Sequence, residues 1–187
     1  MHFEPTRLPE VIVVTPKKFG DARGYFMESF RADLFSRHVG HFDFLQDNQS
    51  LSAQKGTVRG LHFQLSPHAQ GKLVRCLAGG LLDVAVDIRK GSPTYGRHVA
   101  VELTAENGRQ LWVPPGFAHG FCTLAPDTTV AYKVTAYYSA EHDRGIRWND
   151  PDLGIDWPVA AQDAILSDKD RHLLPLRELP EAFKPGR

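Results

Sequence analysis

Residues 58–64, VRGLHFQ, set three polar side chains into a run that is otherwise typical of a buried strand. Arg59 carries a permanent cation, His62 an imidazole that titrates near neutral pH, and Gln64 an amide. Residues two apart on a strand share a face, so His62 and Gln64 are predicted on one face and Arg59 on the other, unless a bulge intervenes. A histidine with a purely structural role is the alternative at position 62.

Polar residues also alternate on both sides of this segment. Gln46, Asn48 and Ser50 precede it at strand spacing, and Lys72 opens the next apolar run. A sheet face turned to water is the alternative explanation for these residues. Their density around His62 instead favours the inner face of a barrel mouth, where a small ligand binds.

Residues 113–121, VPPGFAHGF, contain the pattern P-x-G-x-x-H that ends at His119. The pattern resembles the second half of the cupin signature, whose histidine binds a metal together with an H-x-H pair. That pair would fall on residues 62–64, where Gln64 replaces the second histidine. The sequence therefore predicts a barrel without metal, and a site of two histidines and a carboxylate is the alternative.

Two further stretches supply candidate acids and bases. If AYKVTAYYS is a strand, Tyr132 and Tyr138 project from the same face, although core packing is the alternative for each. In LSDKD, Asp168 and Asp170 flank a lysine beside a predicted helix start, where capping is the usual role of such residues.

The elements that position these residues are predominantly strands. Apolar or alternating runs recur between residues 72 and 138, separated by turn residues at intervals of about 8–12 residues. Asn107-Gly108 between two such runs predicts a hairpin. Helical patterns are short, as in residues 31–39 and after Ser167. We predict one domain over residues 1–187, an all-β jelly-roll sandwich or barrel with a few short helices.

Composition narrows the function classes. The chain has 187 residues, with 22 basic and 22 acidic side chains, a balance that argues against a nucleic-acid-binding protein. It has no apolar run near the roughly 20 residues that span a bilayer, and the segment MHFEPTRLPE lacks the pattern of a signal peptide. Cys76 and Cys122 lie in apolar runs and are predicted to be buried, reduced thiols. A cytoplasmic protein is expected.

Eight blocks of this sequence together resemble the dTDP-4-dehydrorhamnose 3,5-epimerases over essentially the whole chain. They are, in order, DARGYFMESF, QDNQSLSAQKGTVRGLHFQ, KLVR, DVAVDIRKGSPTYG, PPGFAHGF, AYKVTAYYS, RGIRWNDPDLGIDWP and LSDKD. The resemblance implies a cupin-like jelly roll, a homodimer, and catalysis without cofactor or metal. It also implies the substrate, a dTDP-4-keto-6-deoxyhexose inverted at C3 and C5 beside its C4 ketone.

The residue chemistry fits that reaction. A proton next to a ketone is removed by a base, the enolate needs a nearby cation, and an acid must return a proton from the other face. His62 suits the base and Lys72 the cation. By resemblance Tyr132 is the acid and Asp170 the partner of His62, with Asp168 as the competitor. The resemblance further implies these substrate-binding residues: Arg23, Glu28, Gln46, Asp47, Asn48, Arg59, Lys72, His119, Tyr138, Asp143 and Lys169.

A subunit contact is expected near the amino terminus. The run VIVVTP, residues 11–16, is apolar along its length and would be prone to aggregation unless another sheet covers it. The resemblance implies that amino-terminal segments are exchanged within the homodimer. Arg23 and Glu28 are then expected to complete the site of the neighbouring subunit.

Other functions remain open at this point. Related enzymes that invert only C3 or only C5 would use the same His62, Lys72 and Tyr132. From other classes, a metal-dependent cupin oxygenase and a non-catalytic sugar-nucleotide-binding module are the alternatives. The sequence does not distinguish double from single inversion, nor does it give the order of the inversions or the end product of the pathway.

Overall fold

Strands dominate the fold of the computed structural model, which describes residues 1–180 and 183. The first seven strands are β1 (His2–Pro5), β2 (Ile12–Thr15), β3 (Lys18–Asp21), β4 (Gly24–Met27), β5 (Gln46–Ser52), β6 (Val58–Gln64) and β7 (Lys72–Ala78). Those that follow are β8 (Gly80–Asp87), β9 (His98–Thr104), β10 (Gln110–Val113), β11 (Phe117–Thr123), β12 (Thr128–Val134) and β13 (Asp143–Gly145). Two short helices, α1 (Ala32–His38) and α2 (Asp168–Arg171), and a 3₁₀ turn (Leu176–Glu178) complete the described elements.

The strands form two facing antiparallel sheets and a separate hairpin. One sheet has the strand order β1-β2-β10-β7-β12-β5, and the other has the order β13-β6-β11-β8-β9. Within the part of the chain that the structure describes, strands β3 and β4 pair only with each other. Consecutive strands such as β7 and β8 lie in different sheets, which is the connectivity of a jelly roll. The prediction of an all-β, cupin-like jelly roll with short helices is confirmed.

The apolar core lies between the two sheets and follows from strand alternation. Val74 and Cys76 of β7, Leu111 of β10 and Val130 of β12 meet Leu81 of β8 across the interior, all buried. The same alternation turns polar residues inward where the core ends, and those positions line a cavity at one end of the sandwich.

Helix α1 and an aromatic cluster cover part of the outer face of the six-stranded sheet. Phe35 of α1 contacts Trp112 of β10, with ring centroids 5.1 Å apart and nearly perpendicular planes. Phe42 and Phe44 pack on the same indole.

Both predicted thiols are free and buried, and burial raises the pKa of Cys122 to about 11.

Two sequence predictions about local structure are wrong. Asn107-Gly108 does not form a hairpin, because β9 pairs with β8 in one sheet and β10 pairs with β2 and β7 in the other. The turn chemistry itself is present, since Asn107 Oδ1 accepts hydrogen bonds from two backbone amides and Gly108 has a φ of 63°. Strand β12 ends at Val134, so Tyr138 lies in a loop and does not share a strand face with Tyr132.

The expectation for residues 11–16 is also wrong in its physical reason. Strand β2 is hydrogen-bonded on both sides, by β1 and β10, and Val11 and Val14 are buried within this chain. The uncovered apolar surface lies instead on the β3–β4 hairpin, where Phe19 and Phe26 are exposed. Within the described residues, no helix is long and apolar enough to cross a membrane.

Candidate active site

A cavity of about 430 Å³ opens between the sheets where the apolar core ends. Arg59 and His62 of β6 and His119 of β11 line it from one sheet, and Lys72 of β7 and Tyr132 of β12 line it from the other. A second cavity of about 380 Å³ shares His62, Lys72 and Tyr132 and extends towards β13. An imidazole and a phenol thus face one another across a space of small-molecule size.

His62 forms a close pair with Asp170. The imidazole Nε2 lies 2.5 Å from Asp170 Oδ1, and the carboxylate is buried while the His62 side chain keeps 30% of its surface exposed. Burial alone would raise the pKa of Asp170, but hydrogen bonds from His62, Ser167 and the Gly60 backbone lower it below its usual value. The ionised carboxylate then holds the proton on Nε2, which leaves Nδ1 to accept one.

The helix that delivers Asp170 is capped by its own sequence. Ser167 precedes α2, and its Oγ accepts a hydrogen bond from the backbone amide of Asp170 at 3.1 Å. Asp168 lies on the exposed side of the same turn. Of the two aspartates weighed from the sequence, Asp170 is the one that contacts His62.

A bulge corrects the predicted alternation in β6. His119 lies opposite His62 and Phe121 opposite Arg59, so two steps on β11 match three on β6. Gly60 occupies this bulge with a φ of +117°, and a Cβ there would lie 2.6 Å from the Gly120 Cα. Because of the extra residue, Arg59 and His62 both line the cavity, although a regular strand would separate them.

Lys72 is a buried ammonium group within this wall. Its Nζ lies 3.4 Å from the His62 carbonyl oxygen, and the residue is 8% exposed. Burial lowers the pKa of Lys72 to about 8, although the negative charges of Asp143 and Asp83 act to raise it. A cation here would stabilise negative charge that forms on a ligand oxygen.

Tyr132 approaches the cavity from the six-stranded sheet. It lies opposite Val74 on one side and Asn48 on the other, and it packs against the core cluster between the sheets. Burial, with a smaller contribution from the charge of Asp143, raises the pKa of Tyr132. The phenol is therefore protonated at neutral pH and can donate a proton.

His119 belongs to a second histidine–aspartate pair. Its Nε2 lies 2.8 Å from Oδ1 of Asp83, and both side chains are buried. Asp83 was not among the residues predicted from the sequence, because it lies inside the apolar strand β8. A carboxylate in the middle of such a run is itself a signal, because a buried charge needs a partner.

The mouth of the second cavity carries a chain of polar contacts. The Tyr138 hydroxyl donates to Asp143 Oδ2 at 3.1 Å, and Lys169 contacts the same oxygen. Tyr138 is exposed, and the charge of Asp143 raises its pKa. The loop before β13 is thereby connected to helix α2, which carries Asp170.

The amide side chains have structural contacts as well as cavity surface. Gln64 donates to the carbonyls of His68 and Tyr137, and its oxygen accepts from the Ser139 amide. Gln46 donates to Asn48 Oδ1 at 2.7 Å and accepts from the backbone of Tyr138. These amides fix the loops at the cavity mouth.

Two candidate residues, Arg23 and Glu28, line neither cavity in the single chain. Arg23, at the tip of the β3–β4 hairpin, is almost fully exposed and pairs only with Asp21 among the described residues. Glu28 lies 3.8 Å from Arg31 and is exposed. Asp47 pairs with Lys133 at 3.0 Å and also lines the second cavity.

Over residues 1–180 and 183, no three histidine, cysteine, aspartate or glutamate side chains cluster closely enough to hold a metal ion. The cavity groups most suited to chemistry are instead an imidazole–carboxylate pair, a buried ammonium and a phenol. That set fits proton transfer next to a carbonyl group.

Comparison with known proteins gives one consistent family. Residues 5–178 match the family described as dTDP-4-dehydrorhamnose 3,5-epimerase. The enzyme of that name from Sinorhizobium fredii is 59% identical over 98% of this chain and 94% of its own. A Legionella pneumophila dTDP-6-deoxy-D-glucose-3,5-epimerase, solved with dTDP-4-keto-L-rhamnose, superposes with a TM-score of 0.95 at 45% identity, covering 100% of this chain and 99% of the other. A Streptomyces niveus dTDP-4-dehydrorhamnose 3-epimerase is more distant, 35% identical over 97% of this chain and 87% of its own.

Proposed function

The chain belongs to the dTDP-4-dehydrorhamnose 3,5-epimerase family, and we propose that His62, Lys72 and Tyr132 perform this reaction in the cavity between its sheets. It is an isomerase that converts dTDP-4-dehydro-6-deoxy-D-glucose to dTDP-4-dehydro-L-rhamnose. The position of His62 carries this assignment of roles. His62 lies on one sheet, pairs with Asp170 of helix α2, and faces Tyr132 of the other sheet across the cavity.

The first step is removal of the proton next to the ketone. The C–H bond breaks, the proton goes to Nδ1 of His62, and the electron pair moves onto the ketone oxygen as an enolate. Asp170 stabilises the resulting imidazolium through the hydrogen bond to Nε2. The Lys72 ammonium stabilises the charge on the enolate oxygen.

The second step returns a proton to the opposite face of the same carbon. The Tyr132 hydroxyl donates it, the enolate electron pair forms the new C–H bond, and the configuration is inverted. Tyr132 then regains a proton and His62 loses one by exchange with solvent, which the exposed part of the His62 side chain permits. The same two steps at the other carbon next to the ketone complete the double inversion.

The remaining cavity residues are assigned to substrate binding. Arg59 lies in the cavity wall and offers a planar guanidinium, which suits the oxygens of a diphosphate. His119 lies beside His62 and is assigned to a sugar oxygen. The other binding residues assigned to the nucleotide sugar are Gln46, Asp47, Asn48, Tyr138, Asp143 and Lys169.

Product identification tests this function. The purified protein is incubated with dTDP-4-keto-6-deoxyglucose, NADPH and a 4-ketoreductase that accepts only the inverted sugar. We expect dTDP-L-rhamnose from the wild type and none from His62→Ala. An unchanged substrate with the wild type, or rhamnose formation by His62→Ala, would contradict the assignment.

We further propose that the active form is a homodimer in which the β3–β4 hairpin reaches the neighbouring site. Among the described strands the hairpin pairs with no other, and it exposes Phe19, Tyr25 and Phe26, an apolar surface that a second subunit would cover. Arg23 at its tip and Glu28 just after it would then contact the neighbour's substrate.

We also propose that residues 1–187 form a single domain and that the protein is cytoplasmic. The two free thiols support the cytoplasmic location.

Complementation between variants tests the exchange. Arg23→Ala and His62→Ala dimers are each weakened, and a hybrid dimer has one site with both intact residues only if the hairpin is exchanged. We expect activity to reappear when the two are unfolded and refolded together. Hybrid dimers detected by native mass spectrometry without recovered activity would contradict the exchange.

A further inference from the structure

Asp83 lies where the core of this sandwich is otherwise apolar. Along the inner face of β8 it is flanked by Leu81 and Ala85, which both belong to the main core cluster. None of the three has exposed surface. Packing alone would favour an aliphatic side chain at this position.

The hydrogen bonds of Asp83 are incomplete. Oδ1 contacts Nε2 of His119 at 2.8 Å, but Oδ2 is buried with no partner. Within residues 1–180 and 183, the only other such side-chain atom is Oγ of Ser50, which also lines the cavity. A buried polar group left unpaired costs about 1–3 kcal/mol, so the position calls for an explanation other than stability.

The carboxylate acts on two groups of the cavity wall. It fixes the His119 ring through Nε2, which leaves Nδ1 without a protein partner among the described residues. Its negative charge also opposes the effect of burial on the pKa of Lys72, together with Asp143. The charged and titratable groups around the cavities that Lys72 lines are Asp47, Arg59, His62, Asp83, His119, Tyr132, Tyr138, Asp143, Lys169 and Asp170.

We propose that Asp83 is a positioning residue, which turns Nδ1 of His119 towards the substrate and keeps Lys72 in its ammonium form during enolate formation. The inference rests on the proposed function, because it takes His119 and Lys72 to be substrate contacts. Asp83 itself touches no substrate and acts only through these two residues.

The same strand supplies a matched control. Asp87 is also fully buried and lies four residues along β8, on the same face but at the other end of the sandwich. It contacts Arg89, Ser92 and Thr94, and these bonds, outweighing burial, lower its pKa to about 2. Asp87 thus has the burial of Asp83 without contact to the cavity.

The pH profile of kcat/KM separates positioning from a structural role. Asp83→Asn removes one of two carboxylates that favour the charged form of Lys72, so the alkaline limb should move to lower pH by about one unit. Asp87→Asn should destabilise the fold and leave the limb in place. A limb that is unchanged in Asp83→Asn, or that moves equally in Asp87→Asn, would overturn the proposal.

A measurement on the wild type keeps the test independent of turnover and of the folding of a variant. Nitrogen NMR of the labelled full-length protein reports which ring nitrogen of His119 carries the proton. We expect Nε2 to be protonated throughout the neutral range. An unprotonated Nε2 overturns the inference even if the protein is an active epimerase, whereas a failure of the proposed function is detected separately as absence of product.

Discussion

The two histidine–aspartate pairs of the cavity differ in exposure although their imidazoles are direct neighbours across β6 and β11. The His62 side chain keeps 30% of its surface exposed and receives its carboxylate from helix α2, whereas the His119 side chain is 7% exposed and receives its own from the centre of a sheet. A base must exchange its proton with solvent after each turnover, and a group that only holds charge need not. The difference supports the proposal that the first pair transfers protons and the second gives electrostatic support.

The carboxylates differ in the same sense. Asp170 receives hydrogen bonds from His62, Ser167 and the backbone of Gly60, so its negative charge is well stabilised. Among the described residues, Asp83 has one partner and one unpaired oxygen. Its charge also acts on Lys72, whose ammonium form it favours.

The largest expected effect comes from removing the base. His62→Ala should lower kcat by about 10³-fold or more, because no other side chain is assigned to remove the proton from the reacting carbon. Binding of dTDP, measured by calorimetry, should remain close to that of the wild type, since the phosphate contacts are intact. Activity within tenfold of the wild type would contradict the difference between the pairs.

Removing the carboxylate behind the base should have a smaller effect. Asp170→Asn keeps the shape but loses the charge that stabilises the imidazolium, and kcat should fall by about 10²-fold. Single-turnover kinetics with purified substrate measures this step directly. A change confined to KM would instead indicate that Asp170 serves binding.

The equivalent substitution in the second pair should be milder. His119→Asn should lower kcat/KM by about tenfold, chiefly through KM, because the base, the acid and Lys72 all remain. Steady-state kinetics over a range of substrate concentrations checks the division between kcat and KM. A loss as large as that of His62→Ala would make the two pairs equivalent and refute the comparison.

The pH dependence should sharpen the same distinction. Lys72 must be charged to stabilise the enolate, and its pKa of about 8 means that the charged form is lost as pH rises through that value. We expect kcat/KM to fall about tenfold per pH unit above pH 8. Tyr132, whose pKa burial raises, remains protonated in this range. A flat profile up to pH 10 would show that the charge of Lys72 is not required.

Fold stability offers the smallest effect and the control. Asp87→Asn should lower the free energy of unfolding by about 2 kcal/mol at pH 7, because the folded-state pKa of about 2 lies below that of the unfolded chain. The difference from wild type should shrink as pH falls towards 2, because Asp87 then becomes protonated in the folded state as well as in the unfolded chain. Denaturant unfolding at several pH values measures it, and a constant difference would contradict the assignment.

His62, Lys72 and Tyr132, singled out from the sequence, line one cavity, whereas one connection between strands was predicted wrongly. Alternation and turn residues suffice to place β7 to β11, since both are local properties. The partner of a strand is not local, which is why Asn107-Gly108 gave a wrong hairpin although its turn geometry is present. Likewise the bulge at Gly60 depends on the approach of Gly120 from another strand, so the glycine within residues 58–64 allows a bulge but does not by itself specify one.

Asp83 shows a different limit. Its apolar neighbours on β8 indicated a core strand. Only the folded sheet brings its carboxylate to His119, 36 positions away in sequence. Arg23 and Glu28 mark the opposite case, because resemblance assigns them to a site that the single chain does not complete.

Deuterium uptake from D2O tests the central claim most directly. With wild-type protein, His62 and Tyr132 should replace both protons next to the C4 ketone, so the reduced product should carry deuterium at C3 and at C5, and His62→Ala should introduce none. Label at a single carbon with the wild type, or label at both carbons with His62→Ala, would contradict this account.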